Sequence, residues 1–341
     1  MAVKYLDHSD KSRWDDYVLR HEDSTPFHLT KWSDAVESGF RQKAYLLYVE
    51  DGGEVAGVLP LIHVSSLFFK PALISCGFSV YGGPLANDPA AHEALDAEAR
   101  DLARRLGVDV IEYRSQHVIR PHWVHKSDIY ATFKKAINPD SEVNMKAIPR
   151  KQRAMVRKAM GFDLTYDIQH QGDDHFYLYS TSLRNLGTPA FPRRFFEALL
   201  TGFGDDCDIL TVRHEGRAIS SVLSFYFKDE VLPYYGGGSA DARTYAANDF
   251  MYWSLMEHAR EKGCTSFDFG RSKIGTGAFS FKKNWGFEPQ NLHYEYDLLD
   301  GAEMPDVNPM NPKYQLMVSC WQKLPLFLAN AMGPMISRGL G

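Results

Sequence analysis

The chain has 341 residues, 44% of them hydrophobic and 24% charged, with a formal net charge of −5. That length suits two domains, and that composition is enough to fill globular cores. The acidic balance excludes polyanion binding through overall charge and leaves only a local basic patch to do it.

The N-terminal stretch MAVKYLDHSDKSRWDDY has no apolar core of the kind a secretion signal needs. In the first half, KAYLLYVE and EVAGVLPLIHV read as strands split by Asp51-Gly52-Gly53, a hairpin signal. The helix AAHEALDAEARDLARRL stops at Gly107, which suits a left-handed cap, and VDVIEY follows as a buried strand. These elements define an expected first domain over 1–144.

Next comes KAIPRKQRAMVRKAMG, with six basic residues and no acid. Pro149 starts a helix on which Arg150, Arg153 and Arg157 share a stripe of about 60°, opposite Ile148, Met155 and Ala159. This connecting helix, 145–160, reads either as a solvated surface or as a cradle for phosphates, an RNA backbone or an anionic lipid. The second domain is expected over 161–300. DDHFYLYSTSLRNLG and PRRFFEALLTGF are helical, and CDILTVRHEGRAISSVLSFYF is a hairpin turning at Glu215-Gly216. VLPYYGG is a strand, and NDFMYWSLMEHAREKG is a helix capped at Asn248 or Asp249 and stopped at Gly263. Residues 301–341 open on a Pro- and Asn-rich crossing segment. They end in an apolar stretch broken by Pro325 and Pro334, expected to pack back as a short helix, or else to lie on a membrane surface or fill a partner's groove.

The halves repeat one another. Tyr81-Gly82-Gly83 leads through a helix to ARRLGVDVIEYRS, as Tyr235-Gly236-Gly237 leads to AREKGCTSFDFGRS. Gly107 matches Gly263, and Glu112 matches Asp268. The element order is mixed α/β rather than strict βαβ alternation. No window approaches the roughly 20 apolar residues of a spanning helix. The four scattered cysteines, Cys76, Cys207, Cys264 and Cys320, suit reduced thiols in a cytosolic protein. The histidines do not converge on a metal pattern, so no metal site is expected.

The residues best suited to chemistry lie in FDFGRSKIGTGAFSFKKNWGFE, 267–288. Phe267 and Phe269 pack on one face of a strand while Asp268 leaves from the other, near the strand's C-terminal end, where α/β proteins place ligands. Arg271, Lys273, Lys282 and Lys283 surround a loop rich in glycine and hydroxyls, a combination that holds anions. It is not a phosphate-binding P-loop, because the lysine is missing. No Ser or His has nucleophile-elbow spacing, which leaves a hydrolase triad unsupported.

FDFG, the glycine loop and Phe281-Lys282-x-x-Trp285-Gly286 resemble the closing motif of FemAB-type transferases and their GNAT-like relatives. IPRKQRAMVRKA, LRNLGTP-x-FPRRFF and YYGGG-x(10)-ND are similar to the same group, the branch nearest being the FemAB-like proteins of exosortase/PEP-CTERM exopolysaccharide loci. The resemblance spans roughly residues 5–300. It implies two tandem GNAT-like acyltransferase domains, mixed sheets flanked by helices. It also implies transfer of an acyl or aminoacyl group onto an amine acceptor, an envelope or saccharide precursor. The GNAT turn that cradles a CoA pyrophosphate is replaced here by GGSADARTYAAND. That favours aminoacyl-tRNA as donor over acyl-CoA and requires no cofactor.

In this reading Lys282 stabilises the oxyanion, with Asp268 as base and Asp249 as its reserve. Arg184, Tyr234, Tyr235, Arg271, Lys273, Lys283 and Trp285 bind substrate, and Arg150, Arg153 and Arg157 bind the donor's polyanion. The expected location is cytoplasmic, with peripheral contact at the inner membrane through the C-terminal segment. The alternatives are an acyl-CoA-dependent N-acetyltransferase and a non-catalytic binding protein of an exopolysaccharide system.

Overall fold

The computed structural model describes residues 1–7, 10–66, 69–304 and 312–340, with side chains described except at 312–314. Along the first part of the chain run β1 (Val3–Tyr5), α1 (Lys11–Arg20), α2 (Thr30–Phe40), β2 (Lys43–Asp51) and β3 (Glu54–Val64). Then come β4 (Ala72–Ser75), β5 (Leu85–Ala86), α3 (Pro89–Leu106), β6 (Val110–Ser115) and β7 (Val124–Lys126). The middle holds β8 (Tyr130–Ala136), α4 (Ser141–Ala147), α5 (Arg150–Met160), β9 (Leu164–Gln169), α6 (Asp173–Leu186) and α7 (Arg193–Phe203). It continues with β10 (Cys207–His214), β11 (Arg217–Phe227), β12 (Glu230–Gly238), α8 (Asp241–Thr244) and α9 (Ala247–Glu261). After these follow β13 (Ser266–Asp268), β14 (Ser272–Lys273), α10 (Gly277–Asn284), β15 (Pro289–Asn291) and β16 (His293–Leu298). The chain ends on α11 (Pro312–Gln322) and α12 (Leu326–Ser337).

Two compact units result: one from the described residues of 1–127, 292–308 and 333–341, the other from those of 128–291 and 309–332. Each holds one sheet. The first runs β1-β2-β3-β4-β6-β16-β7, with β5 also on β3; the second runs β9-β10-β11-β12-β13-β8-β14, with β15 also on β8. Among the described residues only β4–β6 and β12–β13 pair in parallel, each pair joined by a helical crossover.

The duplication read from the sequence goes deeper than its motif. Both hairpins turn on two left-handed residues, Gly52-Gly53 and Glu215-Gly216. In both, the ladder then skips one residue at the same distance from the turn: Ala56 in β3 and Ile219 in β11. Such bulges are designed features of a strand, so their recurrence points to one ancestral hairpin. Gly107 and Gly263, at φ 65° and 90°, follow equivalent helices, as expected. The Tyr-Gly-Gly pair is less exact: Tyr235-Gly236-Gly237 lies in β12, whereas Tyr81-Gly82-Gly83 lies beyond the end of β4.

The boundaries differ from those expected. The division falls after 127 rather than 144, and β16, expected in the second domain, inserts between β6 and β7 of the first sheet. Likewise β8 inserts beside β13 of the second. Alternation reveals a strand but not which sheet will accept its edge. The basic helix is no free connector either, since Val156 and Ala159 of α5 are fully buried in the second core. The C-terminal stretch forms two helices, split at Pro325. Most of the expected crossing segment, residues 305–311, lies outside the described residues.

Candidate active site

The second sheet opens where its parallel strands part. β12 pairs with β13 only at Glu230↔Ser266 and Val231↔Phe267, then continues to Gly238 bonded to β11 alone. From Leu232 on, the edge of β12 facing β13 is unladdered among the described residues, and an unladdered strand edge presents backbone donors and acceptors. Here the β11–β12 register also skips: Leu223 pairs with Tyr235 and Ser224 with Pro233, so Tyr234 is the extra residue of a bulge. Gly237 serves packing, because a Cβ there would stand 2.5 Å from the α6 backbone at Leu178 and Tyr179.

On the other lip, Phe267 and Phe269 pack into the aromatic core while Asp268 points away, as alternation requires. Asp268 is fully buried and heavily committed. It accepts from Thr132 Oγ1 at 3.1 Å and the Gly270 amide at 2.7 Å, and pairs with Lys134 Nζ at 3.4 Å. Lys134 also pairs with Glu230 at 3.2 Å. Burial and the neighbouring Asp268 push the Glu230 carboxyl up. Thr132 and Lys134 stand on β8, and the sequence reading missed both; the alternation Thr132, Lys134 against Ala131, Phe133, Lys135 was the available signal.

Lys282, from α10, reaches the same turn. Its ammonium nitrogen donates to the carbonyls of Gly270 at 2.9 Å and Arg271 at 3.1 Å, with the Phe133 and Phe269 rings within 6 Å. Desolvation drives its pKa down to about 7; Asp268 pulls the other way and Arg271 adds to the lowering. Two carbonyl acceptors satisfy two N–H groups, which a neutral amine supplies while keeping its lone pair.

Other expected site residues are distributed unevenly. Arg271 is half-buried over the Tyr130 ring at 4.5 Å. Tyr235 is buried among Tyr179, Phe191, Phe195 and Phe196, and its hydroxyl has no hydrogen-bond partner among the described residues. Tyr234 is half-buried beside it, and Lys273 and Lys283 are exposed. Three placements correct the sequence reading. Trp285 is fully buried, donating its indole N–H to Asp249 at 3.1 Å, so it is a core anchor rather than a substrate contact. Asp249 also accepts from Gln152 of α5, and its carboxyl, pushed up by burial, ties three helices together rather than waiting as a spare base. Arg184 donates to the carbonyl of Leu324 at 3.1 Å, closing the link between α11 and α12. The cap of α9 also moves: Ala246, left-handed at φ 50°, precedes the helix, and the Asn248 side chain accepts from Ser220 at 2.7 Å.

On α5, Arg150 and Arg157 are exposed and Arg153 half-exposed, and none of the three enters an ion pair among the described residues. Their backbone is held firmly, since Gln152 of the same helix is bonded to Asp249.

Among its described residues the first unit offers no matching site. Beyond β4 the chain turns back on β6: the Gly82 amide donates to Arg114 O at 2.8 Å, and the Arg114 guanidinium donates to Ser79 O. Its own backbone fills the notch between the parallel strands. An open cleft of about 460 Å³ lies elsewhere in that unit, lined by Tyr17, Arg20, His21, Glu54, Val55 and Asn87, without a buried charged pair.

Comparison with known proteins bears out the fold. Residues 146–283 match the family described as Acetyltransferase (GNAT) domain. Among curated relatives, a lipid II:glycine glycyltransferase of Staphylococcus saprophyticus is 29% identical over 117 residues, 32% of this chain and 26% of the relative. The chain thus spans about a quarter of the length of the curated relatives it matches. The crystal structure of FemX superposes with a TM-score of 0.70 at 16% identity, covering 93% of this chain and 100% of FemX. A tandem GNAT protein from the clavulanic acid pathway gives 0.56 at 14% identity, over 89% of this chain and 100% of its own. At these identities the structures attest the tandem GNAT fold alone.

Proposed function

From the premise of a FemAB-like GNAT protein, we propose that this chain moves an acyl or aminoacyl group from an aminoacyl-tRNA ester onto the amine of a cell-envelope or exopolysaccharide precursor. The observation that carries the proposal is Lys282, half-buried and bonded to the Gly270 and Arg271 carbonyls where β12 and β13 separate. The similarity to lipid II:glycine glycyltransferases supports amine acceptors of envelope type. The exosortase/PEP-CTERM setting is the context we assign to the reaction, at the cytoplasmic side of the inner membrane.

In the proposed reaction the acceptor nitrogen bonds to the ester carbonyl carbon while Lys282, as a neutral amine, takes the nitrogen's proton. The resulting ammonium faces the oxyanion. As the C–O bond breaks, the proton passes to the departing ribose oxygen, and Lys282 returns to its starting state. Asp268, spent on Thr132, Gly270 and Lys134, fixes the turn that aims those carbonyls; we therefore give it a positioning role rather than that of base. Arg271 and Tyr234 line the acceptor's approach. The stripe of Arg150, Arg153 and Arg157 takes the donor's phosphates. An activated ester needs no further cofactor for aminolysis.

An acyl-CoA donor is disfavoured by the start of α9. Its first turn carries the buried carboxylate of Asp249, and an acid there opposes the anion that a helix N-terminus would otherwise hold. The deciding assay supplies radiolabelled aminoacyl-tRNA or acetyl-CoA with a lipid extract bearing amine-terminated precursors. Label should move to the lipid fraction from the tRNA only, and Lys282→Ala should abolish it. Transfer from acetyl-CoA alone would install the CoA-dependent reading instead.

A further inference from the structure

The last helix is built inside out. In α12 the side chains of Asn330 and Ser337 turn inward: Asn330 donates to Ser180 Oγ at 3.3 Å, and Ser337 is fully buried. The outward side chains are Phe327, Leu328, Ala331, Met332 and Met335, all exposed, with Phe327 at 71% and Met335 at 61%. At 100° per residue these five fall within an arc of about 140° that contains no polar residue. A helix facing water carries the opposite pattern. Leu316 and Met317 of α11, each 65% exposed, add to the apolar surface of this segment.

Charge narrows the choice of what covers that arc. No Asp or Glu occurs after Asp306, whereas Lys313, Lys323 and Arg338 all lie in this stretch. Lys323 is exposed just before α12, whereas Arg338, which follows its last residue, is half-buried and donates to the Arg41 carbonyl at 3.0 Å. An apolar face with an exposed cation at its leading end and no acid in the segment complements an anionic lipid surface, where apolar side chains enter the acyl boundary and cations stay among headgroups. At 12 residues the helix is too short to cross a bilayer and long enough to lie in its surface.

We infer that the outward face of α12 docks on an anionic bilayer. Its choice of a bilayer over a second copy of the chain rests on the reading of the acceptor as an envelope precursor. The geometry alone requires an apolar cover.

The test uses the full chain in co-sedimentation with vesicles of phosphatidylglycerol and phosphatidylcholine in equal parts, and of phosphatidylcholine alone. Binding should favour the anionic vesicles and weaken with salt. The double variant Phe327→Ser, Met335→Ser should lose it at least tenfold, with unchanged thermal unfolding because both side chains are already exposed. A cysteine-linked polarity dye at position 327 should shift to the blue when anionic vesicles are added, which tests the same face without serines. Wild type remaining in the supernatant with both vesicles overturns the inference. So does a double variant that sediments like wild type, or light scattering showing a dimer that the double variant breaks. Transfer to a water-soluble amine, measured alongside, separates the two readings. If it persists while vesicle binding fails, only the docking surface falls; vesicle binding without any transfer sinks the proposed reaction alone.

Discussion

In the proposed reaction Lys282 concentrates the chemistry at one nitrogen, and the desolvation of this half-buried group has consequences for rate and for stability. A lysine whose pKa is lowered to about 7 is half neutral at neutral pH. If it acts as the base, transfer should rise about tenfold per pH unit below 7 and level off above it. A rate that instead falls above pH 7 would return Lys282 to a purely electrostatic role as a fixed cation. For stability the sign follows from proton binding: the folded state holds fewer protons than the unfolded state between about 7 and the ordinary lysine value of 10.5. The destabilisation is therefore complete below about pH 7 and fades as pH rises toward 10.5. At pH 7 it amounts to roughly 4 kcal/mol. Lys282→Met should accordingly abolish transfer yet gain about 2–4 kcal/mol of stability in urea unfolding at pH 7. A loss of stability would mean that the bonds to the two carbonyls outweigh the desolvation. In the sequence, Lys282 and Asp268 stand out by their motif. What cannot be read there is commitment: nothing in FDFG says that Thr132 and Lys134, more than 130 positions away, already occupy the carboxylate.

At the scale of elements, periodicity was a good guide wherever a segment buries one face. The helices α3, α6, α7 and α9 and the hairpins β2–β3 and β10–β11 all lie where alternation or an apolar stripe places them. It was a poorer guide for β7 and β8, short strands in a stretch whose charged and apolar residues show no long run, and for caps that depend on a single left-handed residue such as Ala246. The basic helix lies between these cases. Its cationic stripe was legible, but its anchoring through Gln152 and Asp249 was not. That anchoring matters to the proposed function, because a rigid stripe would present its guanidinium forks without further ordering. Replacing Arg150, Arg153 and Arg157 together with glutamine should abolish charged-tRNA binding by filter retention. Thermal unfolding should hardly move, since exposed cations contribute little to folding. For wild type, about three neutralised phosphates give a log–log salt slope near −2 to −3. A triple variant that binds tRNA as tightly as wild type would remove the stripe from the proposed function.

At the scale of the whole molecule, the two units are not successive beads on the chain. The first sheet is completed by β16, which follows all the strands of the second sheet, and the second sheet is entered by β8, which precedes them. β16 is an interior strand of its sheet, bonded along β6 from His293↔Ser115 to Leu298↔Val110 and to the edge strand β7 on its other side. It also delivers Glu295, fully buried, whose carboxylate accepts from Ser115 Oγ at 2.8 Å and the amides of Ile119 at 2.9 Å and Arg120 at 2.6 Å. Without β16, the β6 edge and these donors lose their partners, and Arg114 and Lys126 lose the Tyr294 and Tyr296 rings they stand over. A buried donor left unsatisfied costs about 1–3 kcal/mol, so three such losses alone approach the whole stability of a domain. A fragment of residues 1–144, the boundary that sequence pattern suggests, should therefore fail to fold: it should lack dispersed amide resonances and bind a hydrophobic dye. Glu295→Ala in the full chain, which removes the acceptor but leaves the strand, should destabilise the protein by about 3 kcal/mol or more while leaving the Lys282 turn chemically intact. Dispersed spectra from the 1–144 fragment would show that the first core stands without its last strand. The exchange would then be a matter of chain routing alone, with no part in holding the unit together.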